Sequence, residues 1–132
     1  MKTYRHTKTT VSKIKYFFVF CPRYKRKIFL IPNVEKRFTD LVYQECQKID
    51  VTIINIKCNI DHVMLLLESS PFLSPAEIMK CLKGGTSHTL REEFPELSAM
   101  PSLWTKNFFV STEDDVSDEI IHQYVNKQKK HP

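Results

Sequence analysis

The chain is expected to fold as an α+β protein, an antiparallel sheet with helices packed on one face. Three observations in the 132 residues predict this. Ile14 to Phe20 is a β-branched and aromatic run, which suits a strand. Val34 to Ile49 repeats apolar residues at helical spacing. Val51 to Cys58 and Asp61 to Glu68 are two strand-like runs with only Asn59-Ile60 between them, so they form an antiparallel hairpin.

Pro22 ends the first strand, and Pro32 closes a short extended stretch, Lys27 to Ile31. In the first helix Val34, Phe38, Leu41, Val42 and Cys46 share a face. Ser74-Pro75 opens a second helix, serine as cap and proline at the first helical position. That helix runs to about Phe94 with Ile78, Cys81 and Leu82 apolar, and Gly84-Gly85 weakens it by roughly 1 kcal/mol per glycine. Pro95 and Pro101 bracket a loop, and Trp104 to Ser111 reads as the last strand. Asp114-Asp115 and Asp118-Glu119 precede or open a final helix, where the helix dipole favours acids. The order is strand, helix, two strands, helix, strand, helix. Residues 1–132 read as one domain with a basic arm at 1–13 and a short basic tail at 129–132.

Composition removes several classes. No apolar run is long enough to cross a bilayer, and the polar, basic start is not a secretion signal, so a cytoplasmic protein is expected. Cys21, Cys46, Cys58 and Cys81 have neither zinc-site nor disulfide-scaffold spacing and read as free, mostly buried thiols. With two glycines in the chain, a phosphate-cradling loop and a nucleotide cofactor are not expected. Twenty Lys and Arg against 15 Asp and Glu give a net charge of +5, which permits nucleic acid without proving it.

Strand parity singles out His62. Side chains two apart share a face, so Val63, Leu65 and Leu67 form the core side and His62, Met64 and Leu66 the other. On residues alone, such a histidine is more often structural than a ligand. In the final helix Ile121, Tyr124, Val125 and Gln128 recur at helical spacing, so packing alone would account for the tyrosine. Arg23, Lys25, Arg26 and Lys27 surround Tyr24; Lys80, Lys83 and Arg91 lie on the second helix and Lys106 in the last strand. Cations interleaved with aromatics suit single-stranded or hairpin DNA.

These segments, in this order across residues 16 to 128, resemble the single-tyrosine HUH transposases of insertion sequences. The likeness rests on Asp61-His62-Val63 with its leucine run, on Tyr124 with Gln128 four residues later, and on the Tyr16-to-Lys27 opening strand and basic turn. Leu82-Lys83-Gly84, Glu93-Phe94-Pro95-Glu96-Leu97 and the Leu103-to-Thr112 segment add to it. The resemblance implies a ferredoxin-like sheet, with the tyrosine on the C-terminal helix. Tyr124 would be the nucleophile that cleaves and rejoins single-stranded DNA at insertion-sequence ends through a 5′-phosphotyrosine. His62 and Gln128 would be ligands of a divalent metal, magnesium or manganese. Arg23, Lys25, Arg26, Lys27, Lys83, Arg91 and Lys106 are where contacts to a DNA hairpin are expected, and the family works as homodimers. Met64 stands where the family has its second histidine, and a thioether does not ligate magnesium. The alternative is an impaired or domesticated relative that only binds DNA hairpins. A non-catalytic RNA-binding module of ferredoxin-like fold is a third reading.

Overall fold

The computed structural model describes residues 4–113 and 115–131. Four strands form the main sheet: β3 (Ile14–Phe20), β4 (Thr52–Cys58), β5 (Val63–Ser69) and β6 (Phe109–Ser111). They follow a two-strand hairpin, β1 (Arg5–His6) with β2 (Val11–Ser12). All pairings are antiparallel, and the main sheet runs β4-β5-β3-β6. The α+β class expected from the sequence is the one observed. The long helices are α1 (Val34–Lys48) and α2 (Pro75–Glu93), followed by the short α3 (Pro95–Ser98) and the terminal α4 (Asp118–Asn126).

Strand parity places the core. Phe18 and Phe20 of β3 and Val63, Leu65 and Leu67 of β5 point to one face and pack on Phe38, Val42, Ile78 and Leu82 from α1 and α2. An aromatic group closes one end of this core. The Phe20 and Trp104 rings lie 5.0 Å apart edge to face, and Phe38 and Trp104 5.3 Å apart. The buried indole is satisfied because Nε1 donates to Thr86 Oγ1 at 3.0 Å, and Thr86 in turn donates to the Leu82 carbonyl. Leaving that donor unpaired would cost about 1–3 kcal/mol.

Ser74 caps α2 through a reciprocal box with Glu77, and Pro75 sits at the first turn as expected. The paired glycines differ. A Cβ built on Gly84 meets nothing within 4 Å, whereas one on Gly85 would lie 2.5 Å from Glu45 Oε1. Gly84→Ala should therefore raise stability by about 0.5–1 kcal/mol, read as a higher urea midpoint with unchanged slope. Gly85→Ala should gain less because the Glu45 side chain must first move.

Several boundaries differ from expectation. Ile28–Leu30 forms a 3-10 turn rather than an extended stretch, closed by Leu30 N–H to the Lys27 carbonyl. Pairing in β5 starts at Val63, leaving Asp61 and His62 in the connection before it. The last strand covers only Phe109–Ser111, and Trp104 keeps a single bridge to Pro22. The loop between Pro95 and Pro101 contains α3. Helix α4 lies on the opposite sheet face from α1 and α2: Ile121 and Val125 pack on Val19 and Cys21. Ser117 caps it, and Asp118 and Glu119 occupy its first turn. Asp114, expected in the same acidic cluster, lies outside the described residues, as do 1–3 of the N-terminal arm and Pro132 of the tail. Within that arm Arg5 ties the β1–β2 hairpin to the sheet through Glu68 and Asp50.

All four cysteines are free thiols; Cys21 and Cys46 are buried, Cys58 half-buried and Cys81 exposed. Burial pushes the thiols of Cys21, Cys46 and Cys58 up to about 12 from an ordinary 9.0. These groups stay protonated in the fold and ionise first in the unfolded chain, so their contribution is intact below about pH 9 and is lost as pH climbs through 12. Thermal unfolding should accordingly show a lower midpoint at pH ~10.5 than at ~8. Among the described residues, no helix is long and apolar enough to cross a membrane.

Candidate functional site

The sheet face that carries α4 brings Met64 and Tyr124 together, while His62 lies in the connection before β5 with Asn59 and Asp61 as its partners. Met64 sits across from Val19 on one side and Lys57 on the other. Met64 and Tyr124 both pack against the small cluster of Val19, Cys21, Ile121 and Val125. The period-two strand and the 3.6-residue helix thus bring position 64 and Tyr124 to one place.

Both ring nitrogens of His62 are occupied. Nδ1 lies 2.8 Å from Asp61 Oδ1, and Nε2 lies 3.1 Å from Asn59 Nδ2. With Nδ1–H donating to the carboxylate, Nε2 is placed to accept from the Asn59 amide. Asp61 is also 3.5 Å from Lys25 Nζ. Partial burial pushes the Asp61 carboxyl up, but His62 and Lys25 outweigh it and hold the group below its ordinary value.

The Tyr124 hydroxyl donates to Asn107 Oδ1 at 2.6 Å. Burial pushes this phenol above its ordinary value, and Cys21 beneath it adds to the rise. Asn107 is itself held from behind. Lys83 Nζ donates to the carbonyls of Thr105 and Asn107 at 2.7 and 2.9 Å. Burial lowers the Lys83 ammonium to about 8. A cation on α2 thereby fixes the loop whose side chain grips the tyrosine.

Gln128 lies just past the end of α4, in a turn where its Nε2 donates to the Tyr124 carbonyl at 3.0 Å. It is buried, as is His62. A divalent metal implied by the fold family would have to use this set. It offers one imidazole with both nitrogens engaged, one amide turned back on its own helix, and a thioether in place of a third ligand. Lys57, exposed on the same face, adds a positive charge beside Met64. Among the described residues, no group of three His, Cys, Asp or Glu could hold a metal ion. Magnesium takes about six hard oxygen-rich ligands, so these residues do not fit a tightly held metal.

The basic residues divide. Arg23 and Lys106 line a cleft of about 340 Å³ together with Tyr24, Asn107, Lys127 and Gln128. Arg26 and Lys27 are exposed in the turn after β3. Lys25 is paired with Asp61. Lys83 and Arg91, expected among the DNA contacts, both donate to backbone carbonyls. Arg91 donates to the carbonyls of Met100 and Pro101 at 3.0 and 3.1 Å. Sequence reading did not pick out Asn59 or Asn107. A lone loop asparagine carries no spacing signal; its role follows only from the tertiary contact.

Residues 10–128 match the family model described as "Transposase IS200 like". A transposase for insertion sequence element IS200 from Salmonella typhimurium is 31% identical over 116 residues, covering 83% of this chain and 76% of that protein. Its counterpart from Salmonella typhi matches to the same extent. Two solved structures share the fold. A crystal structure designated a transposase from Deinococcus radiodurans R1 superposes with a TM-score of 0.87 at 22% identity, over 96% of this chain and 99% of that one. A REP-associated tyrosine transposase bound to a REP hairpin superposes with a TM-score of 0.59 at 10% identity, over 92% and 68%. On the family match and the 31% identity, the chain belongs to the IS200-like transposase family.

Proposed function

We propose that this chain binds DNA hairpins and cleaves the adjoining single strand with Tyr124, leaving a 5′-phosphotyrosine and a free 3′-hydroxyl. The phenol oxygen attacks the phosphorus, the bond to the 3′ oxygen breaks, and that oxygen takes up a proton as the phenol gives one up. The covalent link conserves the bond energy for rejoining, so no nucleotide cofactor is required. The observation that carries the reading is the placement of Tyr124 and position 64 on one cluster, beside a cationic cleft. The structure of a relative with a bound REP hairpin supports hairpin DNA as the partner. We further propose that the protein works as a cytoplasmic homodimer. Its requirement for magnesium or manganese is met only at high metal concentration, because of Met64.

The test is an adduct assay on single-stranded DNA from the flanks of the encoding element, run with magnesium, manganese or EDTA on gels that retain covalent protein–DNA species. The expected result is a slow adduct at high metal, absent with EDTA and absent in Tyr124→Phe. Tight hairpin binding with no adduct under any metal would replace this reading by the binding-only one, which the incomplete ligand set favours.

A further inference from the structure

The cationic cleft beside Asn107 does not stand alone. A second cleft, of about 260 Å³, is lined by Tyr24, Lys25, Lys27, Ile60, Asp61 and Lys130. Tyr24 borders both. Among the described residues, the walls of the first carry Arg23, Lys106, Lys127 and Lys129 and no carboxylate. Among the described residues the second has one acid, Asp61, which is already bonded to His62 and Lys25. Charge of this sign without counter-charge suits an anionic, extended ligand.

Tyr24 is held in this place by strained backbone. Its φ is 59° and that of Lys25 is 54°, two successive non-glycine residues in the left-handed region. Each costs on the order of 1–2 kcal/mol. The conformation is kept by Arg23 N–H to the Leu103 carbonyl at 2.8 Å, Lys25 N–H to the Pro22 carbonyl at 3.0 Å, and the Pro22–Trp104 bridge. No core contact requires it, since no residue of the Arg23–Lys25 turn is buried. The Arg23 guanidinium stands 5.4 Å from the Tyr24 ring centroid, which leaves the ring's opposite face for a ligand.

We propose that Tyr24 is the platform on which one base of the single-stranded DNA flank stacks, its phosphates running between the Lys106–Lys127–Lys129 wall and the Lys25–Lys27–Lys130 wall. The first cleft contains Asn107, the hydrogen-bond partner of Tyr124. The stacked base therefore lies close to the phosphate to be cut and fixes which one meets the tyrosine. This rests on the transposase reading above and names the strand segment that the site receives.

Fluorescence anisotropy tests it, with a DNA hairpin carrying a single-stranded oligo-dT tail and the same hairpin blunt. Tyr24→Leu leaves the backbone requirement unchanged and should weaken tailed binding by about tenfold, since one base–aromatic stack is worth about 1–3 kcal/mol. Tyr24→Phe and Tyr24→Trp should bind the tail as wild type does. Blunt-hairpin binding should not respond to any of the three. An abasic site walked along the tail should at one position erase the difference between wild type and Tyr24→Leu. Loss of binding to both DNAs in Tyr24→Leu, failure of Tyr24→Phe to rescue, or no such tail position would overturn the proposal. Should Tyr24→Leu fail to fold, the abasic walk on the wild-type protein decides: one tail position should weaken binding by about tenfold, the worth of one base–aromatic stack, and a walk that is flat along the tail would overturn the proposal. A wild-type protein that binds neither DNA would instead overturn the transposase reading itself.

Discussion

Tyr124→Phe should lose the covalent adduct, by at least about 10⁴-fold, while hairpin affinity stays within about twofold of wild type. The ring remains to pack against Phe109, whose centroid is 5.9 Å away, so α4 keeps its seat on the sheet. What disappears is the hydroxyl and its bond to Asn107. One exposed-side hydrogen bond is worth about 0.5–1.5 kcal/mol, so the variant should unfold close to wild type. The pH dependence gives a second check. Burial holds the phenol above its ordinary value, and Asn107 Oδ1 accepts from the neutral form. The reactive phenolate is therefore a small fraction throughout the usable range, and adduct formation should climb with pH by up to ~tenfold per unit. A flat profile, or an adduct that survives in Tyr124→Phe, would assign the nucleophile elsewhere.

Met64→His should raise adduct formation at a given manganese concentration by tenfold or more, about 1.4 kcal/mol of transition-state stabilisation. It should also give manganese binding that isothermal titration can follow without DNA. The side chain starts half-buried against Val19 and Cys21. Replacing a thioether there by imidazole should cost about 1–2 kcal/mol of stability, which a thermal melt reads directly. Lys57 lies across the strand from position 64 and opposes a dication by charge. Adding Lys57→Gln to Met64→His should tighten manganese further. A folded, DNA-binding Met64→His that stays inert and binds no manganese would remove position 64 from the site.

The face assignments were legible in the sequence because they depend on local periodicity. Val63, Leu65 and Leu67 are fully buried while Met64 lies on the other side, as a period of two demands. The Ser74-Pro75 start of α2 was legible because a cap is a local hydrogen-bonding arrangement. What failed depends on distant chain. Residues 104–108 have strand composition, yet Lys83 takes the carbonyls of Thr105 and Asn107, and pairing is delayed to Phe109. The apolar stripe of α4 shows that it packs, but not on which face of the sheet. Sequence gives the charge of Lys83 and Arg91; only the fold shows that both ammonium and guanidinium end on backbone carbonyls.

The two faces of the sheet are unequally anchored. One holds the aromatic and aliphatic core under α1 and α2; the other holds α4 on a small cluster, Ile121 and Val125 on Val19 and Cys21, with Met64, Phe109 and Tyr124 packed against it. A helix of nine residues on so small a seat is at the low end of local stability. Tyr124 thus rides on an element whose seat on the sheet is small, so its time in the docked position is set by the local contacts of α4 rather than by the main core.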